Sequence, residues 1–235
     1  MNHFDSLPNY DAEIPNHVAR YLVWKKSEKM RQHLRELPDN ANLKGLDLGS
    51  GTGHHVRYLE RSLESASIVG VDYSFKQLQS AKRNYPESSF VLGDMSALQF
   101  PDQTFDFVYL INSLHHLSSK EMQHRTLAEI IRVTKVNGII FIHEINLRNP
   151  LFKFYMKTIF PKLRKIDTGN EIFIDEHLLR SVEYLEWIKT DYFTFIPDFC
   201  PHFLLPLLKP IDKILDSSPL SHLGAHFMVA SRRIR

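Results

Sequence analysis

Leu46-Asp47-Leu48-Gly49-Ser50-Gly51-Thr52-Gly53 is the stretch that decides the fold of this chain. An apolar strand runs into a turn with glycine at every second position, and the helix-like run 54–63 follows. Glycine has no side chain, so a ligand can lie directly against the backbone of such a turn. The start of the following helix offers backbone N–H groups that have no partner within the helix. The stretch therefore predicts a strand–turn–helix unit that binds a ligand.

The next predicted strand supports the same ligand site. It covers 67–71, is largely apolar, and is followed directly by Asp72. The carboxyl ends of neighbouring parallel strands share one edge of a sheet, and an acid at that edge can accept hydrogen bonds from ribose hydroxyls. The glycine turn and Asp72 together predict a nucleoside-binding site.

Short apolar strands alternate with amphipathic helices along most of the chain. This alternation predicts an α/β fold with a doubly wound, mostly parallel, seven-stranded sheet of the Rossmann-like kind. Predicted strands lie at 44–48, 67–72, 89–93, 105–111, 138–144, 187–195 and 226–231. Predicted helices lie at 54–63, 75–84, 118–134 and 175–184. An N-terminal helix is predicted from a cap at Asn16 to about Leu37, where Pro38 stops it.

The length of 235 residues fits a single domain with additions. We expect residues 1–39 to form an N-terminal helical cap and residues 40–146 to form the cofactor-binding core. The regular alternation ends after Glu144. The segments 147–174 and 196–225 are predicted to be insertions that form either a lid or an interface.

The two insertions have unusual compositions. In the first, helical spacing places Lys153 and Lys157 opposite an apolar stripe. The predicted stripe consists of Phe152, Tyr155, Met156, Ile159 and Phe160. The second insertion has four prolines and only two charges, Asp198 and Lys209, between 196 and 211. Three interpretations stay open: a cover over an apolar acceptor, a surface that rests on anionic lipid, and ordinary packing of a lid or homodimer interface.

The bulk composition excludes several classes of protein. The net charge is only +2, from 29 basic and 27 acidic residues, so a general nucleic-acid partner is not expected. The single cysteine, Cys200, excludes an internal disulfide and fits a reducing compartment. No stretch resembles a signal peptide or a membrane span, which predicts a cytoplasmic protein, with peripheral membrane contact as an option. The histidines lack a metal-finger spacing, and we expect no metal site.

Two common nucleotide-binding motifs do not match the glycine turn. A P-loop ends in Gly-Lys-Ser/Thr, whereas Gly53 is followed here by two histidines. A dinucleotide-binding turn has its third glycine at the position of His54. A glycine turn that served only as a tight bend would leave Asp72 unexplained.

Four motifs in order resemble the class I S-adenosylmethionine-dependent methyltransferases. They are Asp47-x-Gly49-x-Gly51-x-Gly53, Val91-Leu92-Gly93-Asp94-Met95 after the third strand, Leu98–Asp106 before the fourth strand, and Glu129–Gly138 before the fifth. The third resembles the family's L-P-F-x-D-x-x-F-D stretch. The fourth resembles a segment that usually ends in L-K-P-G-G, with Val136 and Asn137 replacing Pro-Gly. The resemblance covers 40–146 well and 147–225 hardly at all.

The resemblance implies S-adenosylmethionine as cofactor. The implied cofactor-binding residues are Asp47, Gly49, Ser50, Gly51, Gly53, Asp72, Tyr73, Asp94, Met95 and Asn112. Asp72 would bind the ribose hydroxyls, Tyr73 would lie against adenine, and Asp94 would approach the adenine amine. Three alternatives stay open: Asp47 only holds the turn, Tyr73 is simple packing, and Asp72 caps the next helix.

The segment after the fourth strand narrows the acceptor class by comparison with relatives of known type. Asn112-Ser113-Leu114-His115 lacks the Pro-Pro motif of enzymes that methylate the amines of bases. It also lacks the Pro-Cys motif of the RNA cytosine-C5 methyltransferases. Residues 111–119 contain no acid, whereas the protein-arginine methyltransferases have two glutamates in this loop. The resemblance that remains is to the small-molecule, type 11-like branch.

Candidate catalytic residues follow the fourth and fifth strands, whose ends should be neighbours beside the sulfonium. His115 and His116 are the favoured bases, because histidine titrates near neutrality and can deprotonate an activated hydroxyl. The alternative is that they hold the loop through hydrogen bonds. Glu144 is a candidate for orienting an acceptor hydroxyl, and His143 is a further candidate base.

The acceptor is the least specified part of the function. We expect O-methylation of a sugar or of a lipid-linked small molecule, because late insertions of this kind occur in methyltransferases of such pathways. C-methylation of a quinone precursor is the alternative. A regulator that binds the nucleoside without turnover is a third hypothesis.

Overall fold

The centre of the chain is one twisted sheet, seen in a computed structural model that describes residues 3–6, 13–35, 37, 42–63, 65–164 and 170–235. Within these residues its strands are β1 (Lys44–Leu48), β2 (Ser67–Asp72), β3 (Ser89–Leu92), β4 (Phe105–Ile111), β5 (Thr134–Ile145), β6 (Leu185–Phe193) and β7 (His226–Arg233). Their order is β3-β2-β1-β4-β5-β7-β6. β7 is antiparallel to both β5 and β6, and the other pairs are parallel. The predicted doubly wound, mostly parallel seven-stranded sheet is confirmed.

The strand order reverses between β1 and β4, and this reversal positions the site. The chain runs outward from β1 through β2 to β3, then returns to place β4 on the other side of β1. Leu48 at the end of β1 pairs with Leu110 near the end of β4. Loops that leave such a switch point in opposite directions open a crevice at the carboxyl edge of the sheet. The glycine turn therefore lies beside the segment that begins at Asn112.

Helices cover the sheet. They are α1 (His3–Ser6), α2 (Asn16–Leu34), α3 (His54–Ser62), α4 (Phe75–Asn84), α5 (Lys120–Val133), α6 (Pro150–Phe154), α7 (Phe160–Leu163), α8 (Glu176–Arg180) and α9 (Leu205–Asp216). The predicted cap at Asn16 is wrong by one residue. Pro15 holds the capping position, and its carbonyl accepts from Val18 N at 2.9 Å. The predicted stop at Pro38 lies outside the described residues.

Alternate residues of β4 and β5 point to opposite faces of the sheet and build two cores. Val108 and Ile140 pack on one face with Leu127 of α5. Phe107 and Phe141 pack on the other face, where α2 and α3 contribute Met30, Leu34, Val56 and Leu59. Both faces of these central strands are apolar, as expected for parallel strands covered by helices on each side.

Several element boundaries differ from the predictions. β5 begins at Thr134 rather than 138, because Thr134 pairs with Phe105 before a register shift. The helix predicted for 175–184 ends at Arg180, and Tyr184 with a φ of +66° turns the chain into β6. β6 accordingly covers Leu185–Phe193 instead of 187–195.

The predicted apolar stripe of the first insertion is wrong at one residue. Tyr155–Ile159 forms a π turn between α6 and α7. A π turn holds one more residue than an α turn, so the residues after it shift around the helix axis. Met156 and Phe160 are buried as expected, whereas Ile159 is 37% exposed. Residues 165–169 of this insertion lie outside the described residues.

The second insertion is attached to α2. Lys25 forms ion pairs with Asp212 and, at 2.7 Å, with Asp216, which are both on α9. Tyr21 also donates to Asp212 at 2.6 Å. An apolar cluster that includes Val18 supports these polar contacts. Among the described residues, no helix has the combination of length and apolarity that a bilayer span requires.

Candidate active site

The glycine turn between β1 and α3 has a backbone that glycine alone adopts without strain. The φ angles are +78° at Gly49, +52° at Gly51 and +82° at Gly53. An added Cβ would lie 2.3 Å from Ser113 Oγ at Gly49 and 2.5 Å from the Phe90 ring at Gly53. At Gly51 an added Cβ would meet no heavy atom of the described residues within 4 Å. Two of the glycines are therefore needed for packing, and Gly51 is the one whose backbone faces open space.

Asp72 connects this turn with the one after β2. Its Oδ2 accepts from Gly51 N and its Oδ1 from Ser74 N, both at 2.8 Å. Burial raises the pKa of the Asp72 carboxyl, and these backbone donors oppose the rise. The cap of α4 is Ser74, whose hydroxyl accepts from Gln77 N at 3.2 Å. Since each carboxylate oxygen has a second lone pair, Asp72 can still accept hydrogen bonds from a ligand.

The turn and the ends of β2, β3 and β4 enclose a cavity of about 410 Å³, which we call the glycine-turn pocket. Seven of the predicted cofactor residues line it: Gly49, Gly51, Asp72, Tyr73, Asp94, Met95 and Asn112. Asp47 and Ser50 line a wider neighbouring cavity of about 800 Å³, the lateral cleft. Gly53 lines neither cavity and packs against Phe90. The structure thus brings most of the predicted residues together and separates Gly53 from them.

The polar groups of the glycine-turn pocket fit a nucleoside. Asp72 lies beside the turn, and Asp94 follows β3. Asp94 Oδ1 accepts from the Ser96 backbone and hydroxyl, both at 2.8 Å, and Oδ2 has no hydrogen bond within the described residues. Tyr73 lines the pocket and is 65% exposed, so a flat base in the pocket would lie near it. The pocket therefore offers one carboxylate to sugar hydroxyls and another to an exocyclic amine.

The lateral cleft has polar groups below the turn. Asp47 is buried, and burial raises the pKa of its carboxyl well above the ordinary value, as does the nearby charge of Asp72. Ser50 Oγ is buried and has no partner within the described residues. A buried hydroxyl without a partner is costly, so a ligand group that pairs with it would bind favourably. The cleft is a suitable place for the amino-acid part of a nucleoside ligand.

A second cavity of about 410 Å³, the aromatic chamber, lies beside the glycine-turn pocket. Both insertions contribute to its aromatic lining: Phe152, Tyr155 and Phe160 from the first, Phe199 from the second, and Phe195 immediately before it. Asn112 and His116 line both the chamber and the glycine-turn pocket. A group that passes from one ligand to another would therefore cross beside these two residues.

His115 and Glu144 form a buried pair at the chamber. His115 Nδ1 lies 2.5 Å from Glu144 Oε2, and Leu114 N donates to Glu144 Oε1 at 3.0 Å. Both side chains are almost fully buried, and His115 lines the chamber. When Nδ1 carries the proton directed at Glu144, the neutral ring has its basic nitrogen at Nε2. The pair therefore has the arrangement of a base oriented by a carboxylate.

The other two histidines considered as bases differ in position. His116 lines both cavities, and its ring lies against Phe4 at a centroid distance of 5.0 Å. His143 is fully buried and lines none of the three cavities described above. Burial lowers the pKa of His143 well below its ordinary value. His143 is thus placed in the core below the site, and His115 and His116 are placed at it.

The sequence did not predict several residues that line these cavities. Phe4 and Gln77 line the glycine-turn pocket, and Lys26 lines both the aromatic chamber and the lateral cleft. Lys26 is only 6% exposed. The pattern of α2 gives one signal for it, since Lys25 and Lys26 follow Tyr21 and Leu22 where an apolar face would continue. The four-residue α1, which holds Phe4, has no periodicity by which it could be predicted.

Comparison with known proteins gives a consistent family. Residues 46–142 match the family described as methyltransferase domain. The chain is 30% identical over 177 residues to the demethylmenaquinone methyltransferase of Thermotoga maritima, a match that covers 72% of this chain and 74% of that protein. The name of this relative states its methyl acceptor, whereas the fold by itself does not identify an acceptor.

Solved structures resemble the fold. One is the methyltransferase bound to the Trm112 methyltransferase activator of Haloferax volcanii, with a TM-score of 0.63, 19% identity, and 88% of each chain covered. Another is a SAM-dependent methyltransferase from Archaeoglobus fulgidus, with a TM-score of 0.59, 14% identity, and 90% of this chain and 94% of that chain covered. At such identities the likeness concerns the fold and carries no information about the acceptor.

Proposed function

We propose, since this chain belongs to the class I S-adenosylmethionine-dependent methyltransferases, that it methylates a ring carbon of a hydroxylated aromatic acceptor of the quinol type. S-adenosylmethionine supplies a methyl group on a positively charged sulfur. In this proposal the glycine turn and Asp72 hold the ribose side of the cofactor, and Asp94 with Met95 holds the adenine side. Asp47 and Ser50 face its amino-acid part, and the acceptor occupies the aromatic chamber.

The aromatic lining of the chamber is the observation that carries this proposal. Phe152, Phe195 and Phe199 offer flat apolar surface to an acceptor. Burying apolar surface contributes about 25 cal/mol per Å². A bare sugar has little such surface, and each of its hydroxyls would need a hydrogen-bond partner on burial. The chamber therefore favours an aromatic or lipid-bearing acceptor over a free sugar.

The relative from Thermotoga maritima supports a quinone-type acceptor, since its name gives demethylmenaquinone as the acceptor. The quinone alternative that the sequence leaves open has this support. O-methylation of a lipid-linked small molecule stays a second candidate, because the His115–Glu144 pair would suit removal of a hydroxyl proton. A regulator that binds the nucleoside without turnover has no need of an acceptor cavity. The aromatic chamber beside the nucleoside pocket therefore gives the regulator hypothesis no support.

The chemistry assigned to the chain is the removal of protons and the alignment of the ring. His115, oriented by Glu144, takes the hydroxyl proton of the acceptor. The electron pair of the resulting oxyanion makes a ring carbon nucleophilic. That carbon forms its bond to the methyl group as the sulfur–methyl bond breaks and its electrons stay on sulfur. The ring then loses the hydrogen of the methylated carbon as a proton to solvent and becomes aromatic again, and His115 returns its proton to the ring oxygen.

The product of the reaction tests this proposal. Purified protein is incubated with S-adenosylmethionine labelled in the methyl group and with reduced 1,4-naphthoquinone carrying an isoprenoid side chain. We expect a labelled product whose methyl protons resonate as a ring-bound methyl in NMR spectra. A methoxy resonance would assign the activity to O-methylation instead. Absence of transfer to reduced naphthoquinones, alongside transfer to a sugar or lipid fraction of a cell extract, would refute the quinol proposal.

We also propose that the face around the mouth of the chamber contacts lipid. Leu151 is 80% exposed and lines the chamber, and Phe203 is 73% exposed nearby in sequence to the chamber residue Phe199. The exposed Lys153 and Lys157 lie on α6 and the π turn beside them. Aromatic and aliphatic side chains flanked by lysines suit an anionic lipid surface. Such contact would let an apolar acceptor enter the chamber without crossing water.

Flotation with vesicles tests the lipid contact. The protein should float with phosphatidylcholine vesicles that contain phosphatidylglycerol and much less with phosphatidylcholine alone. Leu207 of α9 is 67% exposed as well. Phe203→Glu and Leu207→Glu together should lower the partition coefficient onto vesicles about a hundredfold or more, since each removes an apolar contact of about 1.5–3 kcal/mol. Val136→Glu, at the opposite end of β5, is the matched control. A protein that sediments as a dimer and does not float would assign the face to a homodimer and end the lipid proposal.

A further inference from the structure

Lys26 is a buried cation without a counter-charge in contact. Its ammonium makes no hydrogen bond or ion pair within the part of the chain that the structure describes. The adjacent Lys25, equally buried, pairs with both Asp212 and Asp216. Burying an unpaired charge costs free energy, so the Lys26 ammonium by itself does not stabilise the fold. The side chain faces the aromatic chamber and the lateral cleft.

Three residues that line the chamber each have a buried polar atom without a partner within the described residues. The atoms are Asn112 Oδ1, Thr194 Oγ1 and His226 Nδ1. Native proteins pair nearly all buried polar atoms, so these three atoms and the unpaired ammonium of Lys26 beside one cavity indicate a polar ligand. The remaining lining is largely aromatic and aliphatic. The chamber therefore has one polar corner in an apolar enclosure.

The backbone of Thr194, one of these polar residues, is strained. Its φ of +74° is in the left-handed region, which is strained for a β-branched residue. Asp216 Oδ1 holds this conformation by accepting from Thr194 N at 3.0 Å, and Ala225 N donates to Thr194 O at 2.7 Å. Strain that the surroundings enforce in this way is common at functional sites. The strained residue is one of those that line the chamber.

We propose that Lys26, together with Asn112, Thr194 and His226, binds an ionised oxygen of the methyl acceptor. This inference rests on the proposed function and specifies its acceptor class as an acidic enol or phenol, present in the site as its oxyanion. The Lys26 ammonium stabilises that oxyanion. Thr194 and Asn112 supply a donor and an acceptor to neighbouring polar groups of the ring.

A second anionic oxygen exists in the complete site, the carboxylate of the amino-acid part of S-adenosylmethionine. Lys26 lines the lateral cleft as well, where that carboxylate is expected. Thr194 and His226 line the chamber and not the cleft. Since these two orphan groups lie on the acceptor side, they favour the acceptor as the source of the bound oxygen. The experiment below separates the two sources.

The charges around Lys26 give a pH dependence. Burial lowers the pKa of its ammonium to about 7, opposed by the attraction of Glu144 on β5. His55 on α3, His143 on β5 and His226 on β7 also face it, and burial holds the pKa of each well below 6.5. Above pH 6.5 these three histidines are already neutral, so Lys26 is the group among the four that loses its charge as the pH rises. The affinity for a permanently ionised acceptor should therefore fall as Lys26 loses its charge.

Binding of a matched pair of probes tests the proposal. The ionised probe is 2-hydroxy-1,4-naphthoquinone, whose acidic enol is charged at neutral pH, and the neutral probe is 1,4-naphthoquinone. Calorimetry at pH 6.5 with saturating S-adenosylhomocysteine should show that the protein prefers the ionised probe about tenfold or more. That preference should decrease between pH 6.5 and 8.5. Failure to bind S-adenosylhomocysteine would refute the proposed function itself, and equal affinities for the two probes would refute this inference alone.

Variants assign the preference to Lys26. Lys26→Met should remove both the preference and its pH dependence, Lys26→Arg should retain the preference, and Thr194→Val should reduce it. Lys29→Met on the same helix, where Lys29 pairs with Asp191 at 3.5 Å outside the site, is the control that keeps it. Thermal unfolding of Lys26→Met should occur at or above the wild-type temperature, because an unpaired buried charge is removed.

The donor carboxylate is distinguished by a last comparison. 5′-Methylthioadenosine has the nucleoside and sulfur of the donor but no carboxylate. If Lys26→Met weakens binding of S-adenosylhomocysteine, leaves that of 5′-methylthioadenosine unchanged and keeps the preference between the naphthoquinone probes, the lysine serves the donor. That outcome overturns the proposal, as does a variant with wild-type behaviour toward all four compounds.

Discussion

Replacing His115 by alanine is expected to lower turnover about 10²–10⁴-fold, the range typical of a general base. The ring lies at the chamber wall with Nδ1 held 2.5 Å from Glu144, so its orientation is fixed before an acceptor arrives. The residues proposed to bind the donor lie in the neighbouring pocket, and the affinity for S-adenosylmethionine should stay unchanged. Turnover is measured by transfer of labelled methyl and affinity by calorimetry on the same preparation.

Glu144→Gln separates orientation from proton transfer. It keeps an oxygen that can accept from Leu114 N, which now donates at 3.0 Å, but removes the charge opposite His115. Turnover should fall in this variant too, with the pH profile displaced relative to the wild type. His116→Ala tests the other candidate base, since His116 directly follows His115 and lines both cavities. Full activity in both His115→Ala and His116→Ala would end the idea of a histidine base.

Replacing Asp72 by alanine is expected to weaken the binding of S-adenosylmethionine about 10²–10⁴-fold. Two charge-assisted hydrogen bonds to ribose hydroxyls, at about 1.5–3 kcal/mol each, account for this loss. The carboxylate is already positioned by the donors Gly51 N and Ser74 N, so little ordering is needed on binding. Calorimetry with S-adenosylhomocysteine gives the dissociation constants, and Asp102→Ala, at an exposed acid that precedes β4 and pairs with Arg132, is the control.

An analogue distinguishes ribose binding from a role in holding the turn. The wild type should bind the 2′-deoxyribose analogue of S-adenosylhomocysteine more weakly than S-adenosylhomocysteine itself, because one hydroxyl is missing. Asp72→Ala should bind the two compounds alike. If the variant still discriminates between them, the carboxylate acts only through the Gly51 and Ser74 backbone, and its assignment to the ribose is wrong.

The sequence predicted the fold and the grouping of Asp72 with the glycine turn because both are encoded locally. Gly49 and Gly51 have positive φ angles within one turn, and Asp72 ends the adjacent strand, so short stretches contain the geometry. Hydrophobic periodicity placed most strands within a few residues of their observed bounds. The exact start of β5 depended on the pairing of Thr134 with Phe105, a contact between distant residues that periodicity does not report.

The acceptor side could not be predicted in the same way, because its residues come together only through packing. Lys26, Thr194 and His226 are on α2, after β6 and on β7, and no spacing links them. The exposure of Ile159 depends on a π turn, and a sequence with ordinary helical spacing does not signal one. The chamber is formed by segments with little resemblance to the family, so the acceptor has to be inferred from contacts.

The interior position of β7 has a consequence for how the enzyme is made. β7 lies between β5 and β6, although both are synthesised before it. Until the ribosome has released His226–Arg233, the two older strands have a gap between them, and the chamber lacks His226. The residues of the glycine-turn pocket are all translated by Met122. A nascent chain can therefore assemble the proposed donor site well before the proposed acceptor site, and S-adenosylmethionine in the cell is available to stabilise the half-made protein.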